Sequence, residues 1–252
     1  MGCGLPEGAT GNNIARLAAI RAGLPDTSSA VTVNRYCASG LQAIAQAAQR
    51  VIVDGVPAAV AGGVESISLV QNDMNTTRYR EEQLMEQNPA LWMSMLDTAE
   101  IVAARYCISR ETQDEYACES QLRTAAAQDA GLFDDEIVPL PATMLVTDRD
   151  TGVVSRHDVT LKKDEGNRPG TNMDGLSALN PVLGDDKFIT AGNASQLCDG
   201  ASACVIMDSK LAEQLGLRRS ASSAPSPPMA ARPTKWASAR FSPSLVFWSA
   251  PA

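Results

Sequence analysis

Basic residues are nowhere concentrated in this sequence, and aromatic residues and histidine are scarce. Aromatic side chains make up 4% of the 252 residues, the net charge is −8, and His157 is the only histidine. Without a basic patch, a surface that binds nucleic acid or an anionic membrane is not expected. His157 lies in the polar stretch VSRHDVT, so we expect a solvated side chain there and not a catalytic base or a metal ligand.

Long apolar runs and closely paired cysteines are also absent. The first residues, MGCGLPEGATG, contain no apolar stretch of the kind found in signal peptides, and no run approaches the length of a membrane span. We therefore expect a cytoplasmic protein. The cysteines show neither a CxxC pair nor the spacing of metal ligands, so we expect reduced thiols and no metal site. They are Cys3, Cys37, Cys107, Cys118, Cys198 and Cys204.

The hydrophobic content of 44% is enough to bury a sizeable core, in one large domain or two smaller ones. In the first part of the chain, residues 12–25 and 40–55 have apolar residues at helical spacing, whereas residues 30–36 and 58–69 are short and strand-like. Strands separated by helices are joined by crossovers and run parallel. This alternation therefore predicts a layered α/β domain.

Residues 71–187 have a different pattern, and we expect them to form an α+β loop domain that packs over the core. Asp97 and Glu100 form a capping-box pattern that would open one helix. Ser109 can cap a longer helix that runs to Gly131. Short, polar, turn-rich pieces follow this helix.

The α/β core resumes at residues 188–217, where the glycine-rich TAGNASQLCDG leads into the apolar SACVIM. The predicted domains are therefore a core formed by residues 1–70 and 188–217, and a loop domain formed by residues 71–187. Residues 218–252 are heavy in Ser, Pro, Ala and Arg, a composition typical of a disordered tail.

The stretch VNRYCASGLQAIA places Cys37 where a strand-like segment changes into a helix. A nucleophilic cysteine acts as a thiolate, and the partial positive charge of a helix N-terminus favours that anion. The small residues Ala38, Ser39 and Gly40 would let a substrate approach the backbone, whose amides could stabilise an oxyanion. A buried structural cysteine at a strand end has the same pattern, so these residues alone leave both interpretations open.

Three separated motifs, VNRYCASGLQAIA, AGGVESIS and TAGNASQLCDGASACVIM, occur in the order found in thiolases, and over residues 1–217 the sequence resembles that family. The resemblance implies a thiolase-like layered α/β fold, of which this chain would hold an incomplete N-terminal half with its loop domain. It also implies acyl transfer in two steps. Cys37 would accept an acetyl group from acetyl-CoA and pass it to a second acetyl-CoA, or catalyse the reverse cleavage of a 3-ketoacyl-CoA.

The resemblance also implies roles for four residues outside the cysteine motif. Met95 matches a methionine that lines the acyl pocket, and Arg168 matches an arginine near the nucleotide end of coenzyme A. Ala191 and Ser195 match positions near the pantetheine arm. From the residues alone, Met95 could instead be a core side chain and Arg168 a surface charge. Ser94 stands where the family often has a histidine, which bears on substrate choice.

Partners and cofactors follow from the same resemblance. No resident cofactor is implied, because coenzyme A thioesters are themselves the substrates. The intact family suggests a homodimer or homotetramer as the assembly.

Parts of the family pattern have no counterpart here. The family's C-terminal half carries an Asn-Glu-Ala-Phe segment, a Gly-His-Pro segment whose histidine activates the nucleophile, and a second catalytic cysteine. We therefore expect little or no turnover by this chain as written, and a second hypothesis is a non-catalytic fragment that at most binds coenzyme A or a partner subunit. The chain also begins at what resembles an internal methionine, so the opening strand and helices are expected to be missing. A ketosynthase-type condensing enzyme fits these motifs less well.

Residues 218–252 are expected to be a frameshifted translation. Codons compatible with Pro233–Ala252, read from the third base, can encode DEMGIGPVFAVPRLLERPG, which resembles thiolase sequence, and Arg218–Ala224 can likewise yield PLGLFR. Restoring the frame after Leu217 should therefore reveal an open frame that encodes the missing histidine and second cysteine. Sequencing the DNA around codons 217 and 218 checks this expectation, and stop codons in the shifted frame within this stretch would contradict it.

Overall fold

The structure, a computed structural model, describes residues 1–217 of the chain. The tail at residues 218–252, predicted to be frameshifted and disordered, lies outside these described residues. The chain divides into two compact units. Of the described residues, the first unit contains Met1–Thr98 and residues 196–217, and the second unit contains Ala99–Ser195. The division at residues 70 and 187 that the sequence suggested stays a prediction.

Helices and strands both contribute to the described residues, which confirms the α/β fold class. In chain order the elements are α1 (Ile14–Arg21), α2 (Ser39–Asp54), β1 (Ala58–Glu65), α3 (Ile67–Val70), α4 (Glu82–Gln87), α5 (Met95–Arg105), α6 (Arg110–Asp129), β2 (Leu140–Thr147), β3 (Val154–Leu161), α7 (Met173–Ser177), β4 (Gly200–Met207) and α8 (Ser209–Gln214).

The local sequence explains where α1 begins and α2 ends. The side-chain oxygen of Asn13 accepts a hydrogen bond from the Arg16 amide at 3.2 Å and so caps α1. Gly55, just after α2, has a φ of 68°, in the left-handed region that glycine adopts most easily. The helices predicted at residues 12–25 and 40–55 are confirmed by α1 and α2.

The sheet of the first unit is an antiparallel ladder in which Ala58 to Glu65 of β1 lie opposite Met207 to Gly200 of β4. Helix α2 packs against both strands. Small side chains on one face of the helix make this contact, because its buried residues recur every four positions. They are Ser39, Ala43 and Ala47. A helix layer on a sheet layer is the arrangement that the sequence pattern predicted for the core.

The pairing of the strands differs from the prediction. Alternating helices and strands predicted parallel ladders, but β1 and β4 are antiparallel. Within residues 1–217, parallel pairing is limited to single bridges that Gly2 makes with Val33 and with Gly63. The segment 1–3 therefore lies between two stretches that the sequence pattern had placed in the core.

Two predicted strands are shorter than expected. The strand at residues 30–36 is reduced to the bridge at Val33, because Arg35 (ψ 38°) and Tyr36 (φ 47°) turn the backbone away from the extended conformation. The strand at residues 58–69 ends at Glu65, and the chain then enters α3.

The second unit contains α6, α7 and an antiparallel hairpin of β2 and β3. The Ser109 hydroxyl accepts a hydrogen bond from the Thr112 amide at 3.1 Å, which confirms the predicted cap of α6. The helix ends at Asp129, close to the predicted end, and Gly131 follows with a φ of 68°. No helix within residues 1–217 has both the length and the apolar character needed to cross a membrane.

The predicted capping box of Asp97 and Glu100 is wrong, because α5 begins earlier. Ser94 is the capping residue: its hydroxyl accepts from the Asp97 amide at 3.1 Å and donates to the Asp97 carboxylate at 2.6 Å. Glu100 instead lies inside α5 and accepts hydrogen bonds from the backbone amides of Phe188 and Ile189. Ser94 and Asp97 have the same spacing as Asp97 and Glu100, so the sequence allowed the helix to begin at either place. The Glu100 carboxylate binds backbone amides of the second unit instead of capping the helix.

Replacing Gly62 by alanine should destabilise the first unit, whereas Gly200→Ala in the paired strand should not. A Cβ added at Gly62 would lie 2.9 Å from the Cα of Ala203 and closer still to the Ser202 carbonyl, whereas nothing lies within 4 Å of a Cβ added at Gly200. Overpacking of this kind costs about 1–3 kcal/mol. Urea unfolding followed by circular dichroism measures the difference. Equal unfolding midpoints for the two variants would contradict the close contact between the strands.

Candidate active site

A cleft of about 390 Å³ lies in the first unit, where the β1–β4 ladder ends beside the start of α2. Cys37 and Cys3 both line it. Much of the wall is bare backbone, because five lining residues are glycines, namely Gly2, Gly4, Gly40, Gly63 and Gly200. Glycine lets a ligand approach the peptide groups closely. The cleft is therefore suited to a narrow ligand that presents its own polar groups to the backbone.

Cys37 lies in a short 3₁₀ turn, Tyr36–Ala38, and its side chain is exposed. The hydroxyl of Ser39 holds this turn, since it donates to the Tyr36 carbonyl at 2.5 Å and accepts from the Arg35 amide at 2.8 Å. Tyr36 has a φ of 47°, a left-handed conformation that is uncommon for a bulky residue. Such residues persist where their surroundings hold them, and they concentrate at functional sites.

The N-terminus of α2 faces the same cleft. Ala38, the residue before the helix, has no side-chain oxygen that could cap it, and the first amides of an α-helix have no acceptor within the helix. Ser39 and Gly40, in the first turn, line the cleft. The Ser39 amide already donates to the Tyr36 carbonyl, so it is the helix dipole that favours an anion at this place. A Cβ added at Gly2 would lie 2.6 Å from the Gly40 nitrogen, so only glycine lets the opening segment reach the helix.

Glu65, at the end of β1, holds the opening segment of the chain in the cleft wall. Its carboxylate accepts hydrogen bonds from the Gly4 amide at 2.7 Å, the Leu5 amide at 3.0 Å and the Cys3 thiol at 3.5 Å. Cys3 is only 1% exposed. This burial, with the negative charge of Glu65, raises the pKa of the Cys3 thiol. Of the two cysteines that line the cleft, Cys37 is therefore the accessible one.

Asp199 ties the start of β4 to the turn that follows β1. Its carboxylate accepts hydrogen bonds from the Ser68 hydroxyl, the Ser68 amide at 2.9 Å and the Ser66 hydroxyl at 3.2 Å. The bonds from Ser68 are the main reason that the pKa of Asp199 is lowered. Gly200 and Ala201 follow directly and line the cleft. Asp199 therefore fixes the backbone of that wall.

An aromatic group lies beside the cysteine turn. The pKa of Tyr36 is raised. The main cause is the negative charge of the neighbouring Tyr79, and the second cause is burial of the Tyr36 side chain. The ring of Tyr79 in turn contacts Trp92 edge-on, with ring centroids 5.2 Å apart. These contacts anchor one side of the turn that carries Cys37.

Met95 is the other predicted site residue in the first unit. It is the first residue of α5 and is 51% exposed, so it is not a buried core side chain. Within the described part of the chain, Met95 is not among the residues that line the Cys37 cleft. Its role at the acyl group stays a prediction.

The remaining three predicted residues all belong to the second unit. Arg168 is exposed, and its backbone amide donates to the side-chain oxygen of Gln121 at 2.8 Å. Ala191 and Ser195 are exposed residues of the turn-rich segment before β4. The second unit thus contains all three positions predicted to contact coenzyme A away from its thioester, and their roles stay predictions.

Sequence reasoning did not single out Glu65 and Asp199. Glu65 is an acidic residue at the end of the apolar, glycine-rich run in AGGVES, and Asp199 is one at the start of the run in CDGASACVIM. A carboxylate in such a place most often binds backbone amides or hydroxyls, and this signal could have identified both. Within residues 1–217, no group of His, Cys, Asp or Glu side chains is arranged to hold a metal ion.

Comparisons with known proteins identify the family. Residues 1–210 match the family described as "Thiolase, N-terminal domain". The chain is 45% identical to the 3-ketoacyl-CoA thiolase of Bacillus subtilis, a match that covers 86% of this chain and 55% of that protein. It is 36% identical to the beta-ketoadipyl-CoA thiolase of Pseudomonas putida, with the same two coverages of 86% and 55%. The human peroxisomal 3-ketoacyl-CoA thiolase is 41% identical over 81% of this chain and 47% of its own length.

A solved structure is similar as well. The dimeric peroxisomal thiolase of Saccharomyces cerevisiae matches with a TM-score of 0.74 and 31% identity, over 86% of this chain and 53% of that one. The chain spans about half the length of the curated relatives it matches. These relatives include bacterial and peroxisomal proteins, and the expected cytoplasmic location stays a prediction. The match over most of the sequence, together with the shared fold, shows that this chain belongs to the thiolase family.

Proposed function

We propose that this chain carries the acyl-accepting half of a thiolase site, in which the Cys37 thiolate takes an acyl group from a coenzyme A thioester. The observation that supports this proposal is the place of Cys37: an exposed thiol in a short turn, at the N-terminus of α2 and in a glycine-walled cleft. A helix N-terminus favours both the attacking thiolate and the oxyanion that forms when the thioester carbonyl is attacked.

The proposed first step is an acyl transfer between two sulfur atoms. The Cys37 sulfur attacks the thioester carbonyl carbon, the bond from that carbon to the sulfur of coenzyme A breaks, and coenzyme A leaves as a thiolate that takes up a proton. The acyl group is then bound to Cys37 as a thioester. In the second step the α-carbon of another acetyl-CoA gives up a proton to the second cysteine that the family mechanism implies and attacks this thioester. The bond between the acyl carbon and the Cys37 sulfur breaks, so that the Cys37 thiolate and a 3-ketoacyl-CoA are formed. The reverse direction cleaves a 3-ketoacyl-CoA.

The substrate class we propose is acetyl-CoA together with 3-ketoacyl-CoA thioesters. The relatives named above are called 3-ketoacyl-CoA and beta-ketoadipyl-CoA thiolases, and both names describe a 3-keto thioester. We propose that Met95 lines the acyl group. Ser94 caps α5 directly before it, which ties the position of Met95 to the start of that helix.

Three residues of the second unit are candidates for contacts with coenzyme A. We propose that Arg168 pairs with a phosphate at the nucleotide end, since its guanidinium is exposed and suits phosphate geometry. Ala191 and Ser195 would lie along the pantetheine arm. We also propose a homodimer, because the similar yeast thiolase is described as dimeric.

A second candidate is a chain that binds coenzyme A thioesters and accepts an acyl group but does not turn over. The observation that favours it is the place of the only histidine in the sequence. His157 is an exposed residue of the hairpin strand β3, where a ring nitrogen pairs with the Ser155 hydroxyl at 2.9 Å. The histidine base and second cysteine implied by the family mechanism have no counterpart among the sequence motifs.

Cys37 should be the most reactive of the six thiols toward brief, limiting iodoacetamide. Burial raises the pKa of the Cys3 and Cys204 thiols, which lowers their thiolate fraction near neutral pH. Cys107 and Cys198 are exposed like Cys37, but neither lines the glycine-walled cleft. Cys107 does precede the long helix α6, but the Ser109 hydroxyl caps that helix. These two thiols are therefore the matched comparison. Peptide mass spectrometry measures the labelling. Preferential labelling of Cys107 or Cys118 would contradict the proposal.

Mixing the chain with acetyl-CoA should add one acetyl group to the peptide that contains Cys37. The adduct should be absent from Cys37→Ala and unchanged in Cys198→Ala, which removes an exposed thiol of the same kind. Continuous cleavage of acetoacetyl-CoA should be slower than in an intact thiolase by orders of magnitude, since losing members of a catalytic group has effects of that size. An adduct that survives in Cys37→Ala would overturn the nucleophile. Full turnover that is lost in Cys37→Ala would overturn the second candidate.

A further inference from the structure

The turn that carries Ala191 is held at its base by polar side chains of the second unit. Glu100 is 8% exposed and accepts hydrogen bonds from the Phe188 amide at 3.0 Å and the Ile189 amide at 2.7 Å. Asn193 closes the other side, because its side-chain oxygen accepts from the Thr190 amide at 2.8 Å. The turn is thus held through its backbone amides and not through apolar packing alone.

Asn193 also uses the other end of its amide group. Its nitrogen donates to the Phe188 carbonyl at 3.0 Å and to the Asp114 carboxylate at 2.9 Å. The oxygen and the nitrogen of an asparagine amide have the same shape but opposite hydrogen-bonding roles. If the group were rotated by half a turn, its oxygen would face the Phe188 carbonyl and the Asp114 carboxylate, neither of which can donate. Asp114 therefore selects the rotation that gives the Thr190 amide its acceptor.

Asp114 is itself fixed. It is 1% exposed, and its second oxygen accepts from the Arg110 guanidinium at 2.7 Å. Arg110 also donates to the Leu176 carbonyl at 2.6 Å and to the Leu179 carbonyl at 3.2 Å. A buried ion pair of this kind contributes little net stability compared with apolar packing. Its more specific effect is to hold one carboxylate oxygen toward Asn193.

We propose that Asp114 and Asn193 are positioning residues for the acyl-CoA site: Asp114 orients the amide of Asn193, and Asn193 holds the turn in the shape that presents Ala191 and Ser195 to the pantetheine arm. This inference rests on the proposed function for the identity of the ligand. Neither residue has to touch the substrate. The exposed tip of the turn makes the contact, and the buried base determines its shape.

The test exchanges the carboxylate and the amide side chains between positions 114 and 193. Asn193→Asp keeps the acceptor for Thr190 but faces Asp114 with a second carboxylate. The double variant Asp114→Asn with Asn193→Asp restores a donor opposite an acceptor between these two positions, but it does not restore the donor to the Phe188 carbonyl. Arg123→Gln is the matched control, because it removes an exposed ion pair with Glu119 from the same helix, α6. Amide hydrogen exchange by mass spectrometry and titration with coenzyme A give two independent measurements on the full chain.

In Asn193→Asp we expect exchange of the 188–195 peptide to rise, and affinity for coenzyme A to fall, each by about tenfold or more, the size typical of a lost hydrogen bond to a charged group. Exchange of α6 and of the β2–β3 hairpin should stay unchanged. The double variant should recover only part of both losses, because a carboxylate oxygen still faces the Phe188 carbonyl, and Arg123→Gln should resemble the parent chain.

Three results would overturn the inference. Unchanged exchange of the 188–195 peptide in Asn193→Asp would show that the amide does not hold the turn. Faster exchange throughout the second unit would show a general loss of stability. Faster exchange of the turn with unchanged affinity for coenzyme A would show that its shape does not matter to the ligand. If the parent chain does not bind coenzyme A, the proposed function fails, and the exchange data alone then decide whether Asp114 and Asn193 position the turn.

Discussion

The close approach of backbone segments around the start of α2 is the constraint on which the candidate site depends. Gly2 lies against the first turn of the helix, and Gly62 lies against the backbone of β4, at distances that leave no room for a Cβ. The buried face of α2 consists of Ser39, Ala43 and Ala47. Because no large side chain separates these elements, the helix N-terminus reaches the ends of the strands. A thiol placed just before that helix therefore faces a cleft with walls of peptide groups.

Polar side chains restrict the backbone conformation of these glycine-rich segments. A chain segment rich in glycine has many accessible conformations and loses more entropy on folding than other segments do. Glu65 holds the opening segment through two amides and a thiol, and Asp199 holds the start of β4 through Ser66 and Ser68. Each carboxylate stands at a strand end, where the backbone leaves the ladder and its amides need acceptors.

In both units carboxylates accept hydrogen bonds from backbone amides, but the carboxylates differ in how deeply they are buried. In the first unit the carboxylates that bind the backbone lie at the edge of a cleft, and Asp199 is an exposed residue. In the second unit Glu100 and Asp114 are buried, and they act on a turn whose tip is exposed. A buried polar group that lacks a partner costs more than an exposed one. The turn in the second unit is therefore the more tightly specified of the two.

The fold class, the helices α1, α2 and α6, and the place of Cys37 before a helix could all be predicted from the sequence, because apolar periodicity, caps and short motifs are local properties. The antiparallel pairing of β1 with β4 became visible only in the folded chain, because strand pairing joins residues far apart in the sequence. The partners of Glu100 and Asn193 likewise became visible only there. A carboxylate or an amide can accept or donate in many directions, and nothing local selects among them. The packed fold makes that selection, because it brings specific backbone groups within hydrogen-bonding distance and leaves them without water.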